Sequence, residues 1–144
     1  MFGRRFDRAE LETRIAAFAD DAGPRLLRVR SGDPMLRHKT SWRPVHDAAA
    51  QEAAAAGCFD VLLTNERGEL TEGARTNLFL EMLGRLRTPS LDAGVLPGIL
   101  RSRLLAEGRA VEAVLHREDL DRADAIYVGN SARGLLRALL QSAP

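Results

Sequence analysis

The run from Phe59 to Pro89, FDVLLTNERGELTEGARTNLFLEMLGRLRTP, constrains the fold more than any other part of the chain. It alternates short apolar segments with turn residues. Residues 59–73 read as strand, turn around Arg67-Gly68, and strand. Residues 75–82 read as a further strand, Leu83-Gly84 as a turn, and 85–89 as another strand. A meander of this kind excludes an all-helical bundle and needs other elements to cover its faces. Residues 44–57 supply one such element, a helix with Pro44 at its start and Gly57 just past its end. Residues 94–108 read as a loop that opens a second helix. Strands are expected at 26–30, 110–115 and 124–130, and a short helix at 117–123. SGDP (31–34) is a turn, 35–40 is extended, and 131–140 begins a helix or turn. Asp7 and Glu10 have capping-box spacing and predict a helix up to Ala22, stopped by Gly23-Pro24. The mixture predicts an α/β (α+β) architecture with a curved mixed sheet and flanking helices.

A chain of 144 residues with 45% apolar residues fits one core. Aromatic residues are only 5% of it, so alanine, leucine and valine must do the packing. A formal net charge of +1 gives no electrostatic reason for nucleic acid or an anionic membrane as partner. No apolar run approaches the roughly 20 residues of a membrane span. The start, MFGRRFDRAE, has no apolar region of the signal-peptide type. Cys58 is the single cysteine, so no internal disulfide forms and a reducing, cytoplasmic setting is expected. No His/Cys/Asp group has metal-ligand spacing, and no metal is expected.

Among 21 lysines and arginines, Lys39 is the only lysine. Most surface positions accept either cation. A neutral lysine amine can attack a carbonyl, whereas arginine stays protonated. Lys39 is therefore a candidate nucleophile, with chance survival under an arginine-rich coding bias as the plain alternative. GVLPGIL (94–100) puts Gly98, Ile99 and Leu100 at a helix start, where free N–H groups and the helix dipole favour a phosphate. Pro-Gly before a helix is more often a simple cap. Glu72 ends a strand beside Gly73. GNS (129–131) is a small polar turn after a strand, with Asn130 and Ser131 as donors. A lysine, a carboxylate and an anion-binding helix start form a set suited to pyridoxal phosphate.

HKT-x-x-R (38–43), ELTEGARTNLF (69–79), TPSLDAGVLPGILR (88–101) and GNSARG (129–134) stand in the order and spacing of the class IV (fold type IV) pyridoxal-phosphate enzymes. Over about residues 35–137 the chain resembles the C-terminal part of that family, with the D-amino-acid aminotransferase-like fold. The 33 positions from Lys39 to Glu72 and the GNS-x-RG end look closest to the aminodeoxychorismate lyase type. The resemblance implies that Lys39 carries the cofactor aldehyde as a Schiff base. It implies that Glu72 pairs with the pyridine nitrogen. Gly98, Ile99 and Leu100 would hold the phosphate, and Asn130 and Ser131 its second anchor. Arg43 matches a recurrent basic residue near the cofactor, and Asn77 is read as a brace for the sheet.

The implied reaction is a lyase step giving 4-aminobenzoate and pyruvate, for folate synthesis. The alternatives are a branched-chain or D-amino-acid aminotransferase, or an inactive domain serving as a subunit. A small amino substrate and a homodimer are the partners implied. The family carries a whole domain before this lysine, and here 38 residues precede it. Residues 1–34 are expected as a short helix and strand in that domain's place, and 35–144 as the cofactor-binding domain. His46 stands where close relatives have tyrosine. Arg75 and Arg133 can fork a substrate carboxylate, but surface salt bridges are their expected use. Cys58 is expected as a small buried hydrophobe, His38 at the rim, His116 exposed, and Trp42 as a core or interface anchor.

Overall fold

The computed structural model describes residues 13–17, 28–40 and 43–142. Nine strands and three α-helices run through them: β1 (Thr13–Ala17), β2 (Arg28–Val29), α1 (Pro44–Ala55), β3 (Asp60–Asn65), β4 (Leu70–Gly73), β5 (Asn77–Met82), β6 (Arg85–Pro89), α2 (Ile99–Ala106), β7 (Ala110–Ala113), α3 (Arg117–Arg122), β8 (Ala125–Asn130) and β9 (Gly134–Ser142). The meander expected over 59–89 is β3 to β6.

The sheet curls until it closes. β3 pairs with β4, β4 with β5, β5 with β8 and β8 with β9, all antiparallel. β9 then pairs with β1, and β1 with β3, both parallel. Six strands thus form a ring, a geometry that leaves those strands few free edges. β2 extends β3 on one flank, and β6 followed by β7 extends β5 on the other.

Period-two alternation sorts the side chains. Ile15, Leu62, Leu70, Leu78, Leu80, Ile126, Val128 and Ala138 fill the inside of the ring. Val61 and Leu63 face the other way, onto Ala49 and Ala53 of α1. The two alanines lie four apart on one helix face, and their size lets α1 sit close to β3. Phe79, between Leu78 and Leu80, packs outward with Leu100 and Leu104 of α2. Both faces of β3 and β5 are therefore packed, and few aromatic rings suffice. Leu78→Ala leaves a cavity in the middle of the ring. It is expected to cost roughly 2–5 kcal/mol, read from urea unfolding, with no change in the site residues.

Three sequence expectations need correction. The helix predicted over 7–22 is a strand where it is described, at 13–17; the rest of it lies outside the described residues. Ile15 is fully buried between β3 and β9, and that burial outweighs the capping-box signal upstream. Residues 34–37 form a 3₁₀ turn rather than an extended segment, because the Asp33 side chain accepts from Met35 N–H and starts it. Residues 134–142 form β9, not a helix or turn. LLRALL suits either state locally, but the hairpin with β8 and the pairing with β1 satisfy its backbone. Gly134, at φ 70°, makes the tight return into that hairpin.

Candidate active site

A cleft of about 560 Å³ opens where the 3₁₀ turn, the start of α1, the β4–β5 turn, the start of α2 and the β8–β9 turn meet. Lys39, Arg43, Glu72, Gly98, Ile99, Asn130 and Ser131 all line it. Seven of the eight residues singled out in the sequence are thus brought together. The eighth, Leu100, follows them on the first turn of α2 with its side chain buried against Phe79.

Lys39 stands at the cleft edge, exposed. Among the described residues no hydrogen bond or ion pair engages its amine. The segment before it is held by the Asp33 cap and by His38 N–H to the Met35 carbonyl at 3.1 Å. His38 itself is exposed and outside the cleft.

Glu72 is the electrostatic centre. Its carboxylate is 3% exposed and receives four donors. Oε1 accepts from Arg43 Nη2 at 3.2 Å and lies 3.0 Å from His46 Nε2. Oε2 accepts from Leu96 N–H at 3.0 Å and from Asn77 Nδ2 at 3.3 Å. A carboxylate offers about four lone-pair positions, so this one is fully used. Arg43 Nη2 and His46 Nε2 are themselves 3.0 Å apart. One imidazole nitrogen cannot both donate to Glu72 and accept from Arg43. A proton on His46 Nε2 serves the carboxylate and places Arg43 as a competing donor at the same oxygen. Asn77 also donates to the Leu96 carbonyl at 3.0 Å, and so ties Glu72 to the loop that starts α2. Asn77 was expected to brace the sheet; its side chain instead holds Glu72 to that loop at the cleft wall.

The start of α2 is built for close approach. Ser102 N–H makes the first bond back to the Gly98 carbonyl, which leaves the N–H groups of Ile99, Leu100 and Arg101 ahead of any intrahelical partner. A Cβ on Gly98 would collide with Asn77 Oδ1, so only glycine fits between the loop and the Glu72 network.

Asn130 lines the cleft, and its side chain also ties two turns together. Its Nδ2 donates to the Arg75 carbonyl at 3.0 Å, and its Oδ1 accepts from Ala132 and Arg133 N–H at 3.1 and 2.8 Å. The exposed Ser131 next to it remains at the cleft.

Two more residues shape the site: His46, which the sequence marked only as standing where relatives have tyrosine, and Asp60, which it did not single out. His46, 4% exposed, touches Glu72 directly; the signal was its place three residues after Arg43, on the helix face that returns to the strand. Asp60 is wholly buried and shapes the β4–β5 turn. It accepts from Val61, Ala74 and Arg75 N–H at 2.8, 2.6 and 3.3 Å and from Thr76 Oγ1 at 2.7 Å. Burial pushes its carboxyl above the usual range, and the Thr76 hydroxyl and those N–H groups oppose the rise. The only sequence signal was an acid opening an apolar strand. A Cβ on Gly73 would run into the Asp60 carboxylate, which explains the glycine beside Glu72. Cys58 is buried in the cluster under α1, and exposed His116 caps α3. Trp42 lies outside the described residues.

Comparison with known proteins covers the segments that build the cleft. The family model described as amino-transferase class IV matches residues 10–139. A crystal structure assigned as an amino-acid aminotransferase from Mesorhizobium loti is 44% identical. It superposes with a TM-score of 0.80 over 90% of this chain and 59% of its own. A Schizosaccharomyces pombe protein assigned as aminodeoxychorismate lyase is 33% identical over 113 residues, 75% of this chain and 49% of its own length. A Thermotoga maritima protein assigned as a branched-chain-amino-acid aminotransferase is 32% identical over 84 residues, 55% of this chain and 31% of its own. The chain thus spans about half the length, or less, of the curated relatives it matches. With the match running through the lysine turn, the Glu72 strand, the α2 start and the β8–β9 turn, the chain belongs to the class IV aminotransferase family.

Proposed function

We propose that the cleft holds pyridoxal phosphate and that Lys39 carries its aldehyde, making this chain the cofactor-binding part of an enzyme acting on a small primary amine. The observation that carries the reading is the meeting of an exposed lysine, a buried carboxylate and an open helix start in one cleft. Its volume lies within the range of ordinary cofactor pockets.

The residues fit the group. Lys39 is the one amine at the cleft, and the first N–H groups of α2 suit the phosphate. Glu72 suits a protonated ring nitrogen once an Oε1 position is released. The Arg43 side chain is 15% exposed against 4% for His46, so Arg43 is the donor able to yield that position. When bound, the cofactor supplies an electron sink for the substrate carbon next to the amine. Lys39 would take and return the proton at that carbon. Glu72 would hold the ring nitrogen's proton. The Asn77–Leu96 clamp keeps Glu72 from turning away, and Ser131 adds a polar group at the cleft.

Loss of pyruvate with release of 4-aminobenzoate is the preferred outcome, on the resemblance over 75% of the chain to the S. pombe protein. Amino-group transfer is the second reading, on the 44% identity to the M. loti structure. The reading extends to folate synthesis, a cytoplasmic setting and a homodimer. Ile99, 73% exposed at the cleft, offers a partner an apolar contact. Sedimentation of the purified chain checks the dimer.

The deciding experiment adds pyridoxal phosphate to the purified chain, reduces with borohydride and maps the labelled peptide. Label on Lys39 is the expected result. No label at saturating cofactor overturns the reading and favours the subunit role. Pyruvate release against cofactor-amine formation then separates the two reactions.

A further inference from the structure

Two exposed arginines from separate turns each place a guanidinium over the ring of Phe59, and one of them, Arg75, lines the cleft. Arg75 Cζ lies 5.4 Å, and Arg133 Cζ 5.8 Å, from the centroid of the Phe59 ring. Surface salt bridges were the expected use of both. Among the described residues neither guanidinium makes one. Stacking on a ring occupies the flat face of a guanidinium and leaves its in-plane N–H fork free for a carboxylate.

The backbone of the pair is fixed. The Asn130 side chain bonds the carbonyl of Arg75 and the N–H of Arg133 at once. Asp60 accepts the N–H of Arg75, its carboxylate turned to that backbone and to Thr76. The neighbouring acid in the cleft, Glu72, is already saturated by Arg43, His46, Asn77 and Leu96. Two cations are thus held near one ring, and among the described residues no carboxylate pairs with either. Arg75 itself borders the cleft, as does Ala132, the neighbour of Arg133.

We propose that Arg75 and Arg133 form a carboxylate-recognition site at the cleft mouth, with Phe59 as its platform and Asn130 as its staple. The cleft then selects amine substrates that carry a carboxylate away from the reacting carbon over substrates that are purely apolar there. This selectivity rests on the reading of the cleft as the substrate site. The carboxylate site does not require the cofactor.

The test separates the two. Glutarate and pentanoate, of equal chain length with two carboxylates and one, are titrated calorimetrically into the cofactor-free chain and into Arg75→Gln and Arg133→Gln. Borohydride labelling of Lys39 is run on all three proteins, and thermal melting confirms that the variants fold. Glutarate is expected to bind the parent more tightly than pentanoate. Each substitution is expected to weaken glutarate by about tenfold or more while leaving Lys39 labelling intact. Arginine-dependent glutarate binding without Lys39 labelling keeps the carboxylate site and rejects the cofactor. Equal binding of the two acids, or glutarate binding unchanged in both folded variants, overturns the proposal.

Discussion

Lys39→Arg is expected to abolish borohydride labelling and to lower turnover by at least ~10³-fold, with the fold unchanged. Arginine keeps the charge and length of lysine, so packing and overall electrostatics are preserved. Its guanidinium neither condenses with an aldehyde nor loses a proton near neutral pH. Both the covalent attachment and the proton transfer assigned to Lys39 are therefore removed together, and a positioned acid–base group alone is worth about 10²–10⁴-fold. Lys39 is exposed and has no bonded partner among the described residues, so its replacement is expected to change stability by no more than about 0.5 kcal/mol. A drop in turnover below tenfold would remove Lys39 from the chemistry. A large loss of stability would show that it supports the fold instead.

Asp60→Ala is expected to be among the most destabilising single changes in the chain, at about 3 kcal/mol or more. It orphans buried N–H groups of Val61 and Ala74 together with the Thr76 hydroxyl, and leaves a hole beside Gly73. The β4–β5 turn carries Arg75 and leads from Glu72 to Asn77, so the loss spreads to the site. Cofactor labelling and glutarate binding should both weaken. The pH dependence has a definite sign. The Asp60 carboxyl is raised in the folded state from an ordinary value of 3.8. Its contribution to stability is fully present below that value and is lost as pH rises through the folded value. Asp60→Asn does not titrate. The stability advantage of the parent over Asp60→Asn should therefore shrink as pH climbs from about 4. Urea unfolding of both proteins across that range measures it. An advantage that grows with pH would mean that the four donors overcome burial.

What sequence alone made legible follows from short-range physics. The meander of β3 to β6 was readable because alternation and turn residues act within a few positions, as in TNERGEL and EMLGRL. The helix over 44–55 was readable for the same reason, with proline at its first position and glycine just past its end. Lys39 stood out against 20 arginines as a matter of chemistry rather than geometry. Its spacing to Glu72, LPGIL and GNS pointed to one family before any contact was known.

Only the tertiary structure decided the rest. TRIAA and LLRALL suit helix or strand equally well on their own. They became β1 and β9 because closing the ring satisfies their backbones and buries Ile15 and Ala138. Asn130 looked like an anchor for a ligand, and the meeting of two turns made it also a staple between arginines 58 positions apart. Asp60 and His46 gave little sequence signal, because a buried acid and a buried imidazole are tolerable only where distant donors and acceptors surround them. Those partners lie 14–16 residues away for Asp60 and 26 for His46. Local propensity is blind to such distances, and burial and polar satisfaction across the closed sheet determine the outcome.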